Sequence, residues 1–306
     1  MPRTVLSAPV RPPDVVSVPR AFSGSDLALA IVIVIWGTNY TVVKGALDSL
    51  PPLAFMSLRF ALAALAMAAV LHVREGWTPL PRATWWRLVG LGFVGHTVYQ
   101  FCFVMGLART TAANSGLLTS GTPVLTALLG AALGVERLRR PLVWGMGLAL
   151  PGVVLIVLAR GPGLDASTRV GDLFVLGASL CWALYTVGLR WLGPGLSALR
   201  ITALTMITGA PGIILLGVPE VLGLTHVAPS AWAGVAYSAL VPLVLAYVIW
   251  SRSVQTVGSS RTALYSSGTP VVAALTAWAV RGEVPTWVQA VGAALVISGV
   301  LVSRRR

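Results

Sequence analysis

The chain has 306 residues, 56% of them hydrophobic and only 10% charged, with a mean hydropathy of +0.84. A water-soluble domain carries about a quarter of its residues charged, so a soluble enzyme or binding module is excluded and a polytopic membrane protein is expected. The formal net charge of +13 does not point to nucleic acid, because the basic residues lie between apolar runs and not along one face; they are expected to set topology.

Residues 1–25, with Pro2, Pro9, Pro12, Pro13 and Pro19 among Arg3, Arg11 and Arg20, read as a disordered cytoplasmic tail. The apolar run that follows has no small-residue cleavage site and continues into Trp36-Gly37-Thr38-Asn39, which predicts a retained first helix and not a signal peptide. At ~20 residues per crossing, ten apolar runs predict ten transmembrane helices. They span 26–46, 52–72, 85–107, 112–134 and 141–159, then 171–190, 198–217, 230–250, 260–281 and 286–303. Prolines and glycines, such as Pro51-Pro52, Gly161-Pro162-Gly163 and Gly193-Pro194-Gly195, punctuate the gaps.

The runs form two copies of one unit. Ser120-Gly121-Thr122-Pro123-Val124 returns as Ser267-Gly268-Thr269-Pro270-Val271, 147 positions on. At the same offset Trp85 matches Trp232, Glu136 matches Glu283, Gly145 matches Gly292, and Gly152-Val153 matches Gly299-Val300. With the register slipped by one, Trp36 falls on Trp182 and Lys44 on Arg190. Residues 26–160 and 170–303 are therefore expected to be five-helix repeats. Five is odd, so the second copy enters the membrane upside down, with Glu136 on the cytoplasmic side and Glu283 outside. Inverted repeats are a recurrent transporter architecture, with the substrate site near the midplane where the halves meet. A cytoplasmic N-terminus gathers most of the 22 Lys and Arg residues on that side, leaving Lys44, Arg59, Arg109, Arg160, Arg169 and Arg281 opposite. Both termini are then cytoplasmic, in a cell membrane.

Polar and aromatic residues deep in spans are costly and point to function. In the third run His96, Tyr99, Gln100 and Phe103 share one helical face. His96 reads as a packed neutral histidine, a substrate ligand or a proton carrier. Trp36, Asn39 and Tyr40 in the first run, and Trp182 and Tyr185 at matching depth in the sixth, are expected to line a cavity. So is Tyr247, which the repeat offset pairs with Gln100; Trp250 reads as an interface anchor. Asn114 and Tyr265 precede Pro123 and Pro270 and complete the substrate-lining set. The neighbouring Ser and Thr residues are expected to satisfy backbone opened by the prolines, and Pro123 and Pro270 to act as gating hinges. Lys44 is expected to snorkel, and Arg59 to pair with Asp48 or to meet a carboxylate on the exit path. The small faces of Gly145, Gly147 and Ala149, and of Gly292, Ala293 and Ala294, suit close packing of the peripheral helices or a homodimer contact.

Several of these residues carry a family resemblance. Trp36-Gly37-Thr38-Asn39, Pro51-Pro52, Arg59-Phe60, the mid-run proline, Gly134-x-Glu136-Arg137-Leu138 and Gly145 through Gly152-Val153 compose the first unit; Pro270, Gly282-Glu283, Gly292 and Gly299-Val300 repeat its end. Over about residues 26–303 the chain resembles the drug/metabolite transporter (DMT) superfamily, EamA type. The resemblance implies an all-α membrane protein of ten transmembrane helices in two inverted five-helix EamA repeats. It also implies export or exchange of amino acids and related metabolites through a central cavity. The sixth run departs from the pattern, with Trp182-Ala183-Leu184-Tyr185 in place of Trp-Gly-x-Asn.

The nine acidic residues all fall at span ends or between spans, where they cannot drive mid-membrane proton or sodium coupling or capture a permanent cation. A neutral or aromatic amino acid moving by facilitated alternating access fits best. A multidrug or organic-cation exporter, held by cation–π contacts, is the alternative, with a channel or membrane enzyme behind it. His72, His96 and His226 are dispersed without acidic partners, so no catalytic set is visible. Cys102 and Cys181 lie inside apolar runs and suggest neither disulfide nor metal. No cofactor is expected, and the partners are a small solute and the lipid bilayer.

Overall fold

In the computed structural model, described over residues 24–134, 140–158, 166–192, 195–257, 266 and 268–303, every predicted apolar run holds a helix. Residues 1–23 of the predicted tail, Glu136 and Tyr265 lie outside the described residues, and Gly24 and Ser25, predicted as tail, already belong to the first helix. The first repeat contains α1 (Gly24–Ala46), α2 (Pro52–Arg74), α3 (Arg82–Gly92), α4 (Tyr99–Arg109), α5 (Ala112–Thr119), α6 (Thr122–Ala132) and α7 (Arg140–Leu158). The second contains α8 (Ala166–Gly188), α9 (Ala198–Leu222), α10 (Pro229–Ser238), α11 (Ala246–Val257), α12 (Thr269–Arg281) and α13 (Trp287–Ser303).

Helix ends follow local chemistry. Asp26 in the first turn of α1 and Lys44 in its last suit the helix dipole. The side chains of Thr111 and Ser197 accept from backbone amides to cap α5 and α9. Thr286 and Gln289 form a reciprocal capping box before α13, and α12 stops at Gly282, whose φ of 67° is open to glycine.

Seven stretches are long and apolar enough to cross a membrane: Asp26–Ala46, Pro52–Arg74, Arg82–Arg109, Ala112–Ala132, Thr168–Gly188, Ala198–Leu222 and Pro229–Trp250. The stretches Val143–Ile156 and Trp287–Gly299 are apolar but shorter, and α12 has 13 described residues. Exposed Trp77, Trp85, Trp86, Trp144, Trp191, Trp232, Trp278 and Trp287 sit near helix ends or in the adjoining turns, as interfacial anchors do.

Pro123 and Pro270 occupy the first turns of α6 and α12, each just after a glycine N-cap. At that position the missing amide costs no intrahelical bond. At Pro123 the proline therefore starts a new segment, α6 after α5, instead of bending an unbroken helix. At the α5–α6 break Thr119, Ser120 and Thr122 hydroxyls donate to the carbonyls of Gly116, Leu117 and Thr119 at 2.9, 2.5 and 2.7 Å, which is the backbone satisfaction expected of them.

Helices of one repeat pack on those of the other. α2 and α9 are antiparallel: the Leu53 and Ala54 amides at the start of α2 donate to Glu220 Oε2 near the end of α9, at 2.8 and 2.9 Å, while Ser57 Oγ donates to the Ile214 carbonyl. α7 and α13 also run antiparallel, with backbones in contact. A Cβ on Gly152 would lie 2.6 Å from the Gly292 carbonyl oxygen, and one on Gly292 would lie 2.7 Å from that of Gly152. Gly145, Ala149 and Gly152 on α7 and Gly292 and Gly299 on α13 thus hold this peripheral pair together, while Gly147, expected on the same face, meets nothing within 4 Å. The equivalent helices α1 and α8 point opposite ways. Lys44 in the last turn of α1 and Asp172 near the start of α8 both bond to Thr110.

Candidate functional site

The third span is not a continuous α-helix. Between α3 and α4, residues Phe93–Val98 form a π-helical turn, and between α10 and α11 residues Ala239–Leu245 form another at the matching place in the second repeat. A π turn packs an extra residue into the helix, re-aims the side chains that follow, and recurs at functional sites. The second contains Pro242, which lacks an amide. The first contains His96, and the residues re-aimed by the two turns are Tyr99 and Gln100 on α4 and Tyr247 on α11.

These residues meet the predicted rings of α1 and α8 in one aromatic cluster. Trp182 lies 5.3 Å from Tyr99, 5.4 Å from Tyr185 and 6.0 Å from Tyr247 between ring centroids. His96 lies 5.4 Å from Tyr185 and 6.5 Å from Tyr247. Trp36 packs edge-on to Tyr247 at 5.9 Å and donates its indole N–H to the Pro242 carbonyl at 3.1 Å, inside the second π turn. Phe103 joins Tyr40 at 5.4 Å and stacks on Tyr99 at 6.0 Å. The cluster draws α1 and α4 from one repeat, and α8 and α11 from the other. Trp36, Tyr99 and Trp182 stay half-buried within it, while His96, Tyr185 and Tyr247 are buried.

The polar atoms are only partly satisfied. Tyr40 shares a hydrogen bond with Thr119 Oγ1 at 2.9 Å. Thr205 on α9 donates to the Ile201 carbonyl at 2.8 Å, so it accepts from the Tyr185 hydroxyl at 3.2 Å and from His96 Nε2–H at 3.1 Å. That tautomer leaves His96 Nδ1 a bare acceptor, and it has no partner. Asn39 Oδ1, also buried, has none either. Buried acceptors without donors are uncommon and costly.

Arg59, only 2% exposed, lies beside the cluster. Its Nε donates to the Ser238 carbonyl at 3.2 Å and its Nη1 to Gln100 Oε1 at 3.4 Å, with the Phe55 and Phe103 rings each 5.9 Å from the guanidinium carbon. The expected pairing with Asp48 is not what forms: Asp48 sits outside at the chain turn and binds Arg281 at 2.9 Å. Lys44 does not snorkel either. Its ammonium donates to the carbonyls of Leu107, Ala108 and Thr110 at 2.8, 3.2 and 2.7 Å, capping the end of α4 that has no intrahelical donors left. Trp250, expected as an interface anchor, packs on Trp36 at 4.9 Å because the second π turn brings the start of α11 against α1.

Asn114 is not brought to the cluster. In the first turn of α5 it donates to Asp172 at 2.6 Å and to Thr110 at 3.1 Å, and accepts from Gln289 at 3.2 Å. Beside it Glu283 accepts from the Ala113 amide at 3.0 Å and pairs with Arg281 at 3.4 Å. Together with the Asp48–Arg281 pair, the bonds of Asn114 to Asp172 and Gln289 and of Ala113 to Glu283 tie the two repeats at one end of the molecule. Cys102 and Cys181 face each other as free thiols on α4 and α8. Sequence reasoning missed Thr205; it is one of three threonines at every third position of α9 (Thr202, Thr205 and Thr208), and nothing in the sequence separates it from the other two.

With this duplicated geometry in view, the profile of the EamA-like transporter family matches residues 24–158 and again 169–305. The chain belongs to the EamA-like transporter family. It is a multi-pass membrane protein of that transporter type, built from two EamA repeats. It is 30% identical over 285 residues to a probable terminal-alkyne amino-acid exporter of Streptantibioticus cattleyicolor, covering 91% of this chain and 93% of that one. To an uncharacterized transporter, YyaM, of Bacillus subtilis it is 29% identical, covering 87% and 88%. To a probable amino-acid metabolite efflux pump of Salmonella typhimurium it is 27% identical, covering 89% and 92%. A solved crystal structure with 23% identity superposes with a TM-score of 0.66 over 92% of this chain and 99% of that chain, a likeness of fold.

Proposed function

We propose that this EamA transporter moves neutral or aromatic amino acids outward across the cell membrane, by alternating access between two five-crossing halves inserted in opposite directions. The observation that carries the reading is the aromatic cluster around Trp182. It is built from both repeats, sits mid-span, and holds the bare acceptor His96 Nδ1. Rings offer an apolar and aromatic side chain a fitting surface, and the half-buried Trp36, Tyr99 and Trp182 leave part of their faces for a solute. The relatives named as amino-acid exporters and efflux pumps support both the substrate class and the direction. Antiparallel equivalents such as α1 and α8 support the inverted arrangement, with ten crossings and both termini in the cytoplasm.

In this reading the Asp48–Arg281 and Arg281–Glu283 pairs and the Ala113–Glu283 bond form the outer gate, and Pro123 and Pro270 are the hinges that move on opening. Among the described residues no acidic side chain hydrogen-bonds into the cluster, so a proton or sodium ion has no carboxylate to ride on there, and facilitated exchange is the simplest mechanism.

The test is a screen of the twenty amino acids with purified protein in liposomes and no pH gradient. Saturable flux of a neutral or aromatic amino acid is expected, accelerated by the same unlabelled amino acid on the far side. Flux that demands an ion gradient would remove the facilitated mechanism; flux without saturation or counter-exchange would mean a channel.

A further inference from the structure

Arg59 is the one described basic side chain that lies within the central packing and not at a helix end. It is the eighth residue of α2, about 10 Å along the helix axis from Pro52 at 1.5 Å per residue. An ionised guanidinium withdrawn from water needs a counter-charge or a full set of acceptors. It offers five N–H donors in a planar fork. The protein fills two of them with neutral oxygens, the Ser238 carbonyl and Gln100 Oε1, the second at a long 3.4 Å. The Nη2 pair and one Nη1 proton have no acceptor among the described residues.

The described acids are all occupied elsewhere. Asp48 and Glu283 hold Arg281, Glu75 holds Arg200, Asp172 holds Thr110 and Asn114, and Glu220 caps the start of α2. Asp26 belongs to the first turn of α1, at the opposite end of that helix from Lys44. Phe103, whose ring lies 5.9 Å from the guanidinium carbon, stacks on Tyr99, so the charge borders the rings of the candidate site.

We propose that Arg59 is the receptor for the carboxylate of the transported solute, and that the central site selects molecules in which a carboxylate adjoins an aromatic or aliphatic side chain. This rests on the transport reading of the same cluster. Gln100 fixes the fork in one plane, so the remaining N–H groups present the two-pronged geometry that matches a carboxylate. The missing counter-charge then arrives with the cargo, and an empty carrier keeps an uncompensated cation. A solute bearing only an ammonium meets that cation and is repelled, which separates this site from one for organic cations.

The test uses two probes of one shape and opposite charge, 3-phenylpropionate and phenethylamine, as competitors of the amino acid that the wild type moves fastest in liposomes. The carboxylate is expected to compete at least tenfold better. Arg59→Gln is expected to erase that preference, and Arg59→Lys to keep part of it, as a point charge without the fork. Equal competition by the two probes on the wild type, or a preference retained in Arg59→Gln, would overturn the proposal. If Arg59→Gln does not fold, the wild-type comparison alone decides. If the wild type moves none of the twenty amino acids, the amino-acid reading falls, and thermal stabilisation of the purified protein by the same probes decides separately. Stabilisation by 3-phenylpropionate and not by phenethylamine would keep the Arg59 assignment; stabilisation by neither, or by both alike, would end it.

Discussion

Trp182→Ala is expected to lower amino-acid flux in liposomes at least tenfold, expressed as kcat/KM, while Trp182→Phe retains most of it. Trp182 is the ring that touches Tyr99 from the first repeat and Tyr185 and Tyr247 from the second, at 5.3, 5.4 and 6.0 Å. Its removal opens the cluster at the point where the repeats share it, taking away contact surface for a solute and support for three other rings. Aromatic pairs contribute about 0.5–1.5 kcal/mol each beyond their area, and a tenfold change in rate needs only about 1.4 kcal/mol. The loss of three such contacts therefore exceeds the threshold. Trp182 is half-buried, so its truncation leaves less of a sealed cavity than a core tryptophan would, and the variant should remain monodisperse. Flux per folded molecule equal to that of the wild type would show that the cluster is packing and not a site.

Gly209→Val is expected to cost more in stability than any substitution within the cluster. Gly209 on α9 lies against the end of α3, where an added Cβ would stand 2.5 Å from the Gly92 carbonyl oxygen and 2.8 Å from His96 Cβ. Neither neighbour is free to yield. The Gly92 oxygen is backbone, and a Cβ on Gly92 would itself stand 2.5 Å from the Thr205 carbonyl oxygen. Forcing the helices apart would break the Thr97 hydroxyl bond to the Gly209 carbonyl at 2.7 Å and the His96–Thr205 bond at 3.1 Å. Overpacking costs about 1–3 kcal/mol, and the lost bonds add about 1 kcal/mol each. At about 2–4 °C per kcal/mol for a chain of this order, the unfolding temperature should fall by roughly 6–20 °C. Gly147→Ala, at a position with nothing within 4 Å of an added Cβ, is the matched control and should not lower it. An unchanged unfolding temperature in Gly209→Val would mean that α3 and α9 are not in backbone contact.

The repeat, the apolar runs and the rings of the cluster were legible because each leaves a mark in one dimension. The marks are an offset of 147, stretches without charge, and aromatic residues at i, i+3 and i+7. What the sequence hid depends on geometry between segments. No residue type announces a π turn at Phe93–Val98, so the re-aiming of Tyr99 and Gln100 was invisible, as was its counterpart around Pro242. That same turn moved Trp250 from the interface onto Trp36. Lys44 and Arg59 carry side chains long enough to reach several partners. Periodicity gives a charge and a depth, but only the fold shows that Lys44 caps α4 and that Arg59 has no acid to meet. Asn114 resembled a cavity residue because it is polar and inside a span, yet its place in the first turn of α5 commits it to Asp172.

The claim on which the account turns is that the two EamA repeats cross the membrane in opposite senses. Single cysteines in place of Thr286 and of Arg139, its equivalent at the repeat offset, introduced into a chain lacking Cys102 and Cys181, test it with a membrane-impermeant maleimide. Labelling of position 286 in intact cells, and of position 139 only after the cells are opened, is the predicted result. Labelling of both positions from the same side would contradict it.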